Sequence, residues 1–225
     1  MNKNLICFDL DGVLINSMGI ANQIFFETVE NELGLTFDYM RNRQICAMAA
    51  GDRFEYLWSE EIKEKGITPE QITKVIDIYR KKKMDTELPA LPYAKDIVRL
   101  ASENFEHIGA VSSNANYMID EILNRLGIRK YFHHITGLDD VVISKPHPEI
   151  YEKAVEHFNV DPSNALTFED STAGITSAKG AGMKVIAVTT GLETKEELQN
   201  TEADIVVSGF AEVDLKLIKS ILSSK

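Results

Sequence analysis

The stretch Leu5-Ile6-Cys7-Phe8-Asp9-Leu10-Asp11-Gly12-Val13 stands almost at the start of the chain. Its first four residues are apolar and suit a buried strand. Two acids one residue apart follow, then a glycine. A buried carboxylate is costly unless compensated, and two close ones repel. Either Asp9 and Asp11 are solvated turn residues, or a cation lies between them.

The rest of the chain repeats the strand signal. Short apolar, mostly β-branched segments at 5–8, 107–111, 134–136, 165–168, 184–188 and 204–207 read as strands. From the second onward, helical patterns intervene, at 117–126, 149–158 and 212–222. Strand–helix alternation implies a parallel sheet with right-handed crossovers and helices on both faces. The first interval breaks this rhythm. Between residues 16 and 88 only helical stretches appear, at 18–33, 37–49, 53–65 and 69–84, and a further helix begins near Pro92. A plain crossover needs far fewer residues. The expected architecture is α/β: a Rossmann-like core formed by 1–15 plus 89–225, and an inserted all-helical cap formed by 16–88.

With 225 residues, 44% hydrophobic and 26% charged, the composition is that of an ordinary globular protein. Acids outnumber bases 35 to 24, a net charge of −11, which argues against nucleic-acid and anionic-membrane partners. The two cysteines, Cys7 and Cys46, fall in a strand and a helix, which suits a reducing cytoplasm rather than a disulfide scaffold. No apolar run is long enough for a bilayer span, and Asp9 and Asp11 interrupt the only early one, so no signal peptide is expected.

In an open parallel sheet, ligands bind beyond the carboxyl ends of the strands. Asp9 and Asp11 follow the first strand there. "SSN" (Ser112, Ser113, Asn114) follows the second, "SKPHPEIY" with Lys145 comes after the third, and "EDSTAG" with Glu169 and Asp170 ends the fourth. Carboxylate and hydroxyl oxygens suit Mg²⁺. Hydroxyls, helix-start N–H groups and a lysine suit a phosphate. Together they indicate phosphoryl transfer to Asp9 and then to water, with Asp11 moving the proton.

Four motifs in this order make the chain resemble the haloacid dehalogenase superfamily, in the branch with a helical cap after the first strand. "DLDGV", "VSSN", "SKPHPEIY" and "TFEDSTAGI" resemble its successive motifs. The last two look most like the β-phosphoglucomutase and sugar-phosphate phosphatase branch. The resemblance implies Asp9 as nucleophile and metal ligand, and Asp11 as general acid/base with its carbonyl on Mg²⁺. It implies Lys145 neutralising the reacting oxygens, Asp170 with Glu169 holding Mg²⁺, and Ser112 holding phosphate. Gly12, Ser113, Asn114 and, in the cap, Arg53 are further candidates for substrate contact. Two departures stand out: Asn16 replaces an acid common before Ser17, and Ala21 replaces a histidine typical of β-phosphoglucomutases.

Bland readings compete at several positions. Lys145 alone would be an exposed loop lysine. Glu169-Asp170, or Ser113 and Asn114, could cap the next helix. Arg53 could be a solvated helix-start residue, and "YRKKKMD" a solvated basic face without a partner. The five histidines have no metal-ligand spacing, and Trp58, Phe25 and Phe26 suit the cap's own core. The leading expectation is a Mg²⁺-dependent phosphatase of a small phosphorylated metabolite, acting as a monomer because one chain carries the whole site. The alternatives are a phosphomutase, a receiver-like phospho-acceptor and a non-catalytic binding protein. A nucleotide-binding oxidoreductase is disfavoured because no G-x-G-x-x-G follows the first strand.

Overall fold

The computed structural model describes residues 4–38, 45 and 48–224. In chain order it runs β1 (Leu5–Phe8), α1 (Met18–Leu33), α2 (Ala50–Lys65), α3 (Pro69–Asp85), α4 (Ala94–Asn104), β2 (His107–Val111) and α5 (Asn116–Arg125). It continues through β3 (His134–Thr136), α6 (Glu149–Phe158), β4 (Ala165–Glu169), α7 (Thr172–Gly180), β5 (Lys184–Val188), α8 (Lys195–Gln199), β6 (Ile205–Val207) and α9 (Leu215–Ser223). The strands form one six-stranded sheet in the order β3-β2-β1-β4-β5-β6. Every pairing is parallel.

β1 is central, and its four residues are all fully buried. Alternation along the strand sends them to opposite faces. Ile6 and Phe8 join the cluster holding Ile97 and Val98 of α4, Ile119 and Leu123 of α5, and Ile218 of α9. Leu5 and Cys7 join Tyr151 and Phe158 of α6 and Ile175 of α7. A strand covered on both sides must be apolar throughout, which is why "LICF" shows no polar alternation. From β1 the order runs outward to β2 and β3 on one side and to β4, β5 and β6 on the other. The crevice past the ends of β1 and β4 is therefore the switch point of the sheet.

Helices α1, α2 and α3 pack around their own apolar cluster of Phe25, Phe26, Phe54, Trp58, Val75 and Tyr79. The Trp58 indole donates to the Thr36 carbonyl at 3.2 Å. Thr68 and Gln71 cap the start of α3 reciprocally, with Pro69 in the first turn. The chain leaves and re-enters the sheet region through neighbouring segments: Asn16 N–H donates to the Pro89 carbonyl at 2.9 Å, and Leu91 N–H to the Leu14 carbonyl at 3.0 Å.

Some boundaries differ from the sequence expectation. The helix expected at 212–222 is a short turn, Phe210–Glu212, followed by α9. Asp214 separates them because its carboxylate accepts the Leu217 N–H at 2.7 Å and so starts α9 afresh. The helix expected near Pro92 begins at Ala94, after Tyr93 in the left-handed region at φ 62°. Of the helix expected at 37–49, Phe37 and Asp38 are not helical, and most of the remainder, Cys46 included, lies outside the described residues.

Candidate active site

Loops at the carboxyl edge of the sheet and the last turn of α3 meet in one cleft. Asp9, Asp11, Arg53, Lys83, Ser112, Ser113, Asn114, Lys145, Glu169 and Asp170 all line it. Asp9 follows β1, Ser112 follows β2 and Asp170 follows β4, so the sheet register sets their spacing.

Lys145 is 3% exposed, which removes its reading as an exposed loop lysine. Its ammonium donates to Asp9 Oδ1 at 2.7 Å and to Glu169 Oε1 at 2.6 Å. The Tyr151 hydroxyl donates to the same Glu169 oxygen. Burial would depress the Lys145 ammonium, but Asp9 and Glu169 outweigh it and hold the pKa above the ordinary lysine value.

Asp9, Glu169 and Asp170 each offer an oxygen, and these oxygens lie within 4.8 Å of one another. One lysine does not balance three buried acids. Burial pushes Asp9 up to about 8, with Glu169 adding to the rise and Lys145 opposing it. Burial also drives Asp170 well above the usual carboxylate range, with Asp9 and Glu169 next in effect. Asp170 Oδ2 is buried without a hydrogen-bond partner among the described residues. An orphaned carboxylate oxygen, a deficit of positive charge and an all-oxygen donor set together fit a hard divalent cation such as Mg²⁺.

Two glycines make room there. A Cβ on Gly12 or on Gly191 would sit 2.0 Å from Asp170 Oδ2, and Gly12 also has φ +76°. Only glycine serves at position 12, for space and for backbone. The acids do not cap α7, because Ser171 fills that role by accepting the Gly174 N–H at 3.1 Å.

Asp11 has different company. Lys83 Nζ donates to both of its oxygens, at 2.8 and 2.9 Å. Asn114 Nδ2 donates to Oδ2 at 2.5 Å, and the Ser17 hydroxyl donates to Oδ1. Burial alone would raise Asp11, but Lys83, helped by Ser17 and Asn114, holds it below the ordinary carboxylate value. Asn114 also accepts from Lys83 at 3.0 Å and donates to Ser112 Oγ at 2.8 Å. It does not cap α5: Asp139 accepts the Asn116 N–H there, at 2.7 Å. The Ser113 hydroxyl is buried without a partner among the described residues.

Lys83 is the residue that sequence reasoning missed. The basic run "YRKKKMD" reads as solvated, yet Lys83 is 2% exposed. The available signal is its register. Val75, Tyr79 and Lys83 follow one another at four-residue steps, so the lysine lies in the buried stripe of α3. Arg53 is likewise not solvated. It donates to Asn22 Oδ1 at 2.8 Å and to the Met48 carbonyl at 3.1 Å, and its guanidinium lies 4.8 Å from the Phe25 ring centroid.

Comparison with known proteins fits this geometry. The family model described as haloacid dehalogenase-like hydrolase matches residues 6–188. A Bacillus subtilis (strain 168) protein provisionally named a phosphatase, YhcW, is 31% identical over 226 residues, covering 100% of both chains. Hexitol phosphatase B of Escherichia coli (strain K12) is 24% identical and covers 93% of each. Among solved structures, β-phosphoglucomutase from Clostridium difficile shares the fold, with TM-score 0.84, 23% identity and coverage of 99% of this chain and 97% of that one. No helix among the described residues is long and apolar enough to cross a membrane.

Proposed function

The chain belongs to the haloacid dehalogenase-like hydrolases, and from that premise we propose that it is a Mg²⁺-dependent phosphatase of a small phosphorylated metabolite, of the sugar-phosphate kind. The observation that carries this reading is the unequal treatment of two neighbouring carboxylates. Asp9 is paired with Lys145 among acids that call for a cation, and Asp11 is paired separately with Lys83.

In the proposed reaction an Asp9 oxygen bonds to phosphorus as the ester P–O bond breaks. The leaving oxygen takes a proton from Asp11. Water then attacks phosphorus and returns a proton to Asp11, and the bond to Asp9 breaks to release phosphate. Asp9, Glu169, Asp170 and the Asp11 carbonyl would hold Mg²⁺, which when bound neutralises charge on the phosphoryl oxygens. Lys145 restrains Asp9 and offers its charge to the same oxygens. Ser112, Ser113, Asn114 and the backbone at Gly12 would receive the phosphate. Helices α1–α3 would act as a cap over the cleft, with Arg53 facing the rest of the substrate. Ala21, which lines the cleft beside Asn22, has no proton to exchange with a second hydroxyl, which favours water over a mutase acceptor.

The test is phosphate release from a panel of sugar phosphates and other small esters, with Mg²⁺, with chelator, and with Asp9→Asn. Turnover that requires both Mg²⁺ and Asp9 is expected. No release from any ester by folded, Mg²⁺-bound protein would overturn the reading.

A further inference from the structure

The four motifs leave out a fifth loop that touches the candidate metal site from three directions. It is Thr190-Gly191-Leu192-Glu193, which follows β5. The Thr190 hydroxyl donates to the Gly12 carbonyl at 2.5 Å, across 178 positions of sequence. That bond fixes the turn carrying Asp11 and Gly12. The Gly191 backbone lies against Asp170, so closely that a Cβ there would sit 2.0 Å from Oδ2 and 2.8 Å from Cγ. Glu193 is 6% exposed. It accepts the Thr172 N–H at 2.9 Å with Oε1 and the Thr172 hydroxyl with Oε2. Both oxygens of a buried carboxylate are thus spent on the residue two places after Asp170. Leu192, between them, packs against the apolar cluster of α1–α3.

These contacts have a common consequence. Asp9 stands at the end of a strand and is held by the sheet. The Asp11–Gly12 turn and the segment from Asp170 to Thr172 are loops, and a loop needs partners to hold a ligand geometry. Thr190 supplies a partner to the first loop and Glu193 to the second. Gly191 closes the space behind the orphaned Asp170 oxygen. We propose that Thr190 and Glu193 are positioning residues for the divalent-cation site, holding the Asp11–Gly12 turn and the Asp170 loop at the separation that the cation requires. The proposal rests on the metal-dependent reading above.

Mg²⁺ titration of the full chain by calorimetry tests it, using Thr190→Val, Thr190→Ser, Glu193→Gln and Asp170→Asn. Lost outer partners of a metal site typically weaken binding by about 10- to 100-fold. That loss is expected for Thr190→Val and for Glu193→Gln, with melting temperatures in chelator equal to wild type. Thr190→Ser, which keeps the hydroxyl, should bind as wild type does. Asp170→Asn should abolish binding. Wild-type affinity in Thr190→Val and Glu193→Gln would overturn the proposal. So would weaker binding that tracks a lower melting temperature in chelator and recurs in Thr190→Ser, because the loop would then serve only the fold. If Asp170→Asn itself binds Mg²⁺ normally, the metal site was wrongly located, a failure distinct from that of the fifth loop.

Discussion

Replacing Lys83 with methionine keeps most of the side-chain volume and removes the charge. Lys83 is 2% and Asp11 18% exposed as side chains, with the closest contact at 2.8 Å. At an effective dielectric near 20 the attraction amounts to roughly 6 kcal/mol, much of it offset by several kcal/mol of desolvation for each ion. The residue of that balance is what Asp11 registers. An opposite charge in contact typically lowers a carboxylate pKa by about 1–3 units, or about 1.4–4 kcal/mol at 1.36 kcal/mol per unit. In Lys83→Met, burial is opposed only by the weaker donors Ser17 and Asn114, so the Asp11 pKa should rise.

The signs follow from linkage. Asp11 is depressed in the fold, so its contribution to stability is present above the unfolded carboxylate value, about 3.9, and is lost as pH falls through the folded value. Lys83 is raised in the fold, so its contribution is present below about 10.4 and is lost at higher pH. The stability gap between wild type and Lys83→Met should therefore be widest between about pH 4 and pH 10 and close on either side. Carbon NMR of the Asp11 carboxyl reads the titration directly, and urea melts across pH read the gap. The pH–rate profile should move its acidic limb upward in the variant. An unmoved Asp11 titration, with the variant folded, would refute the pairing as the cause of the depression.

His134 stacks on His157 with ring centroids 3.5 Å apart. Burial and then His157 hold its pKa below the ordinary histidine value, with Arg129 in the same direction and Asp140 opposing. The unfolded chain thus takes up a proton that the folded chain resists, so melting temperature should fall as pH drops below about 6.5. His157→Gln should flatten that fall; an unchanged slope would exclude the histidine pair as its origin. Trp58→Ala empties the centre of the α1–α3 cluster and should cost about 3–5 kcal/mol, or roughly 6–20 °C of melting temperature for a chain of this size. A loss under about 1 kcal/mol would mean that the cluster repacks.

The legible part of the molecule is the part whose signals are local. "LICF" announces a strand covered on both faces because burial on both sides forbids polar alternation. Lys145 is recoverable because "SKPHPEIY" surrounds it with a recognisable pattern. Lys83 and Arg53 show the limit. Both are long cations on amphipathic helices, where a solvated role is the ordinary one. What buries them is contact across the chain, Asp11 lying 72 positions from Lys83 and Asn22 31 positions from Arg53. Only the four-residue step from Tyr79 to Lys83 hints at it. Glu193 and Thr190 carry still less signal, since their partners are a backbone N–H, a threonine hydroxyl and a carbonyl, none of which has a sequence pattern.

The two acids of the first motif pose a problem of charge, and the fold resolves it asymmetrically. Asp9 and Asp11 would repel across any shared low-dielectric space. Lys145, from the loop after β3, takes Asp9; Lys83, from the last turn of α3, takes Asp11. The first pairing comes from the sheet region and is shared with Glu169, so it leaves carboxylate charge over for a cation. The second comes from the helical insertion and engages both Asp11 oxygens, so it holds that group ionised and occupied. A carboxylate held this way cannot donate a proton until its lysine withdraws. Movement of α3 away from the sheet would release it, and a substrate anion in the cleft would give Lys83 another partner. The ionisation of Asp11 is thus tied through Lys83 to where the end of α3 lies, whereas that of Asp9 is tied through Lys145 to the sheet.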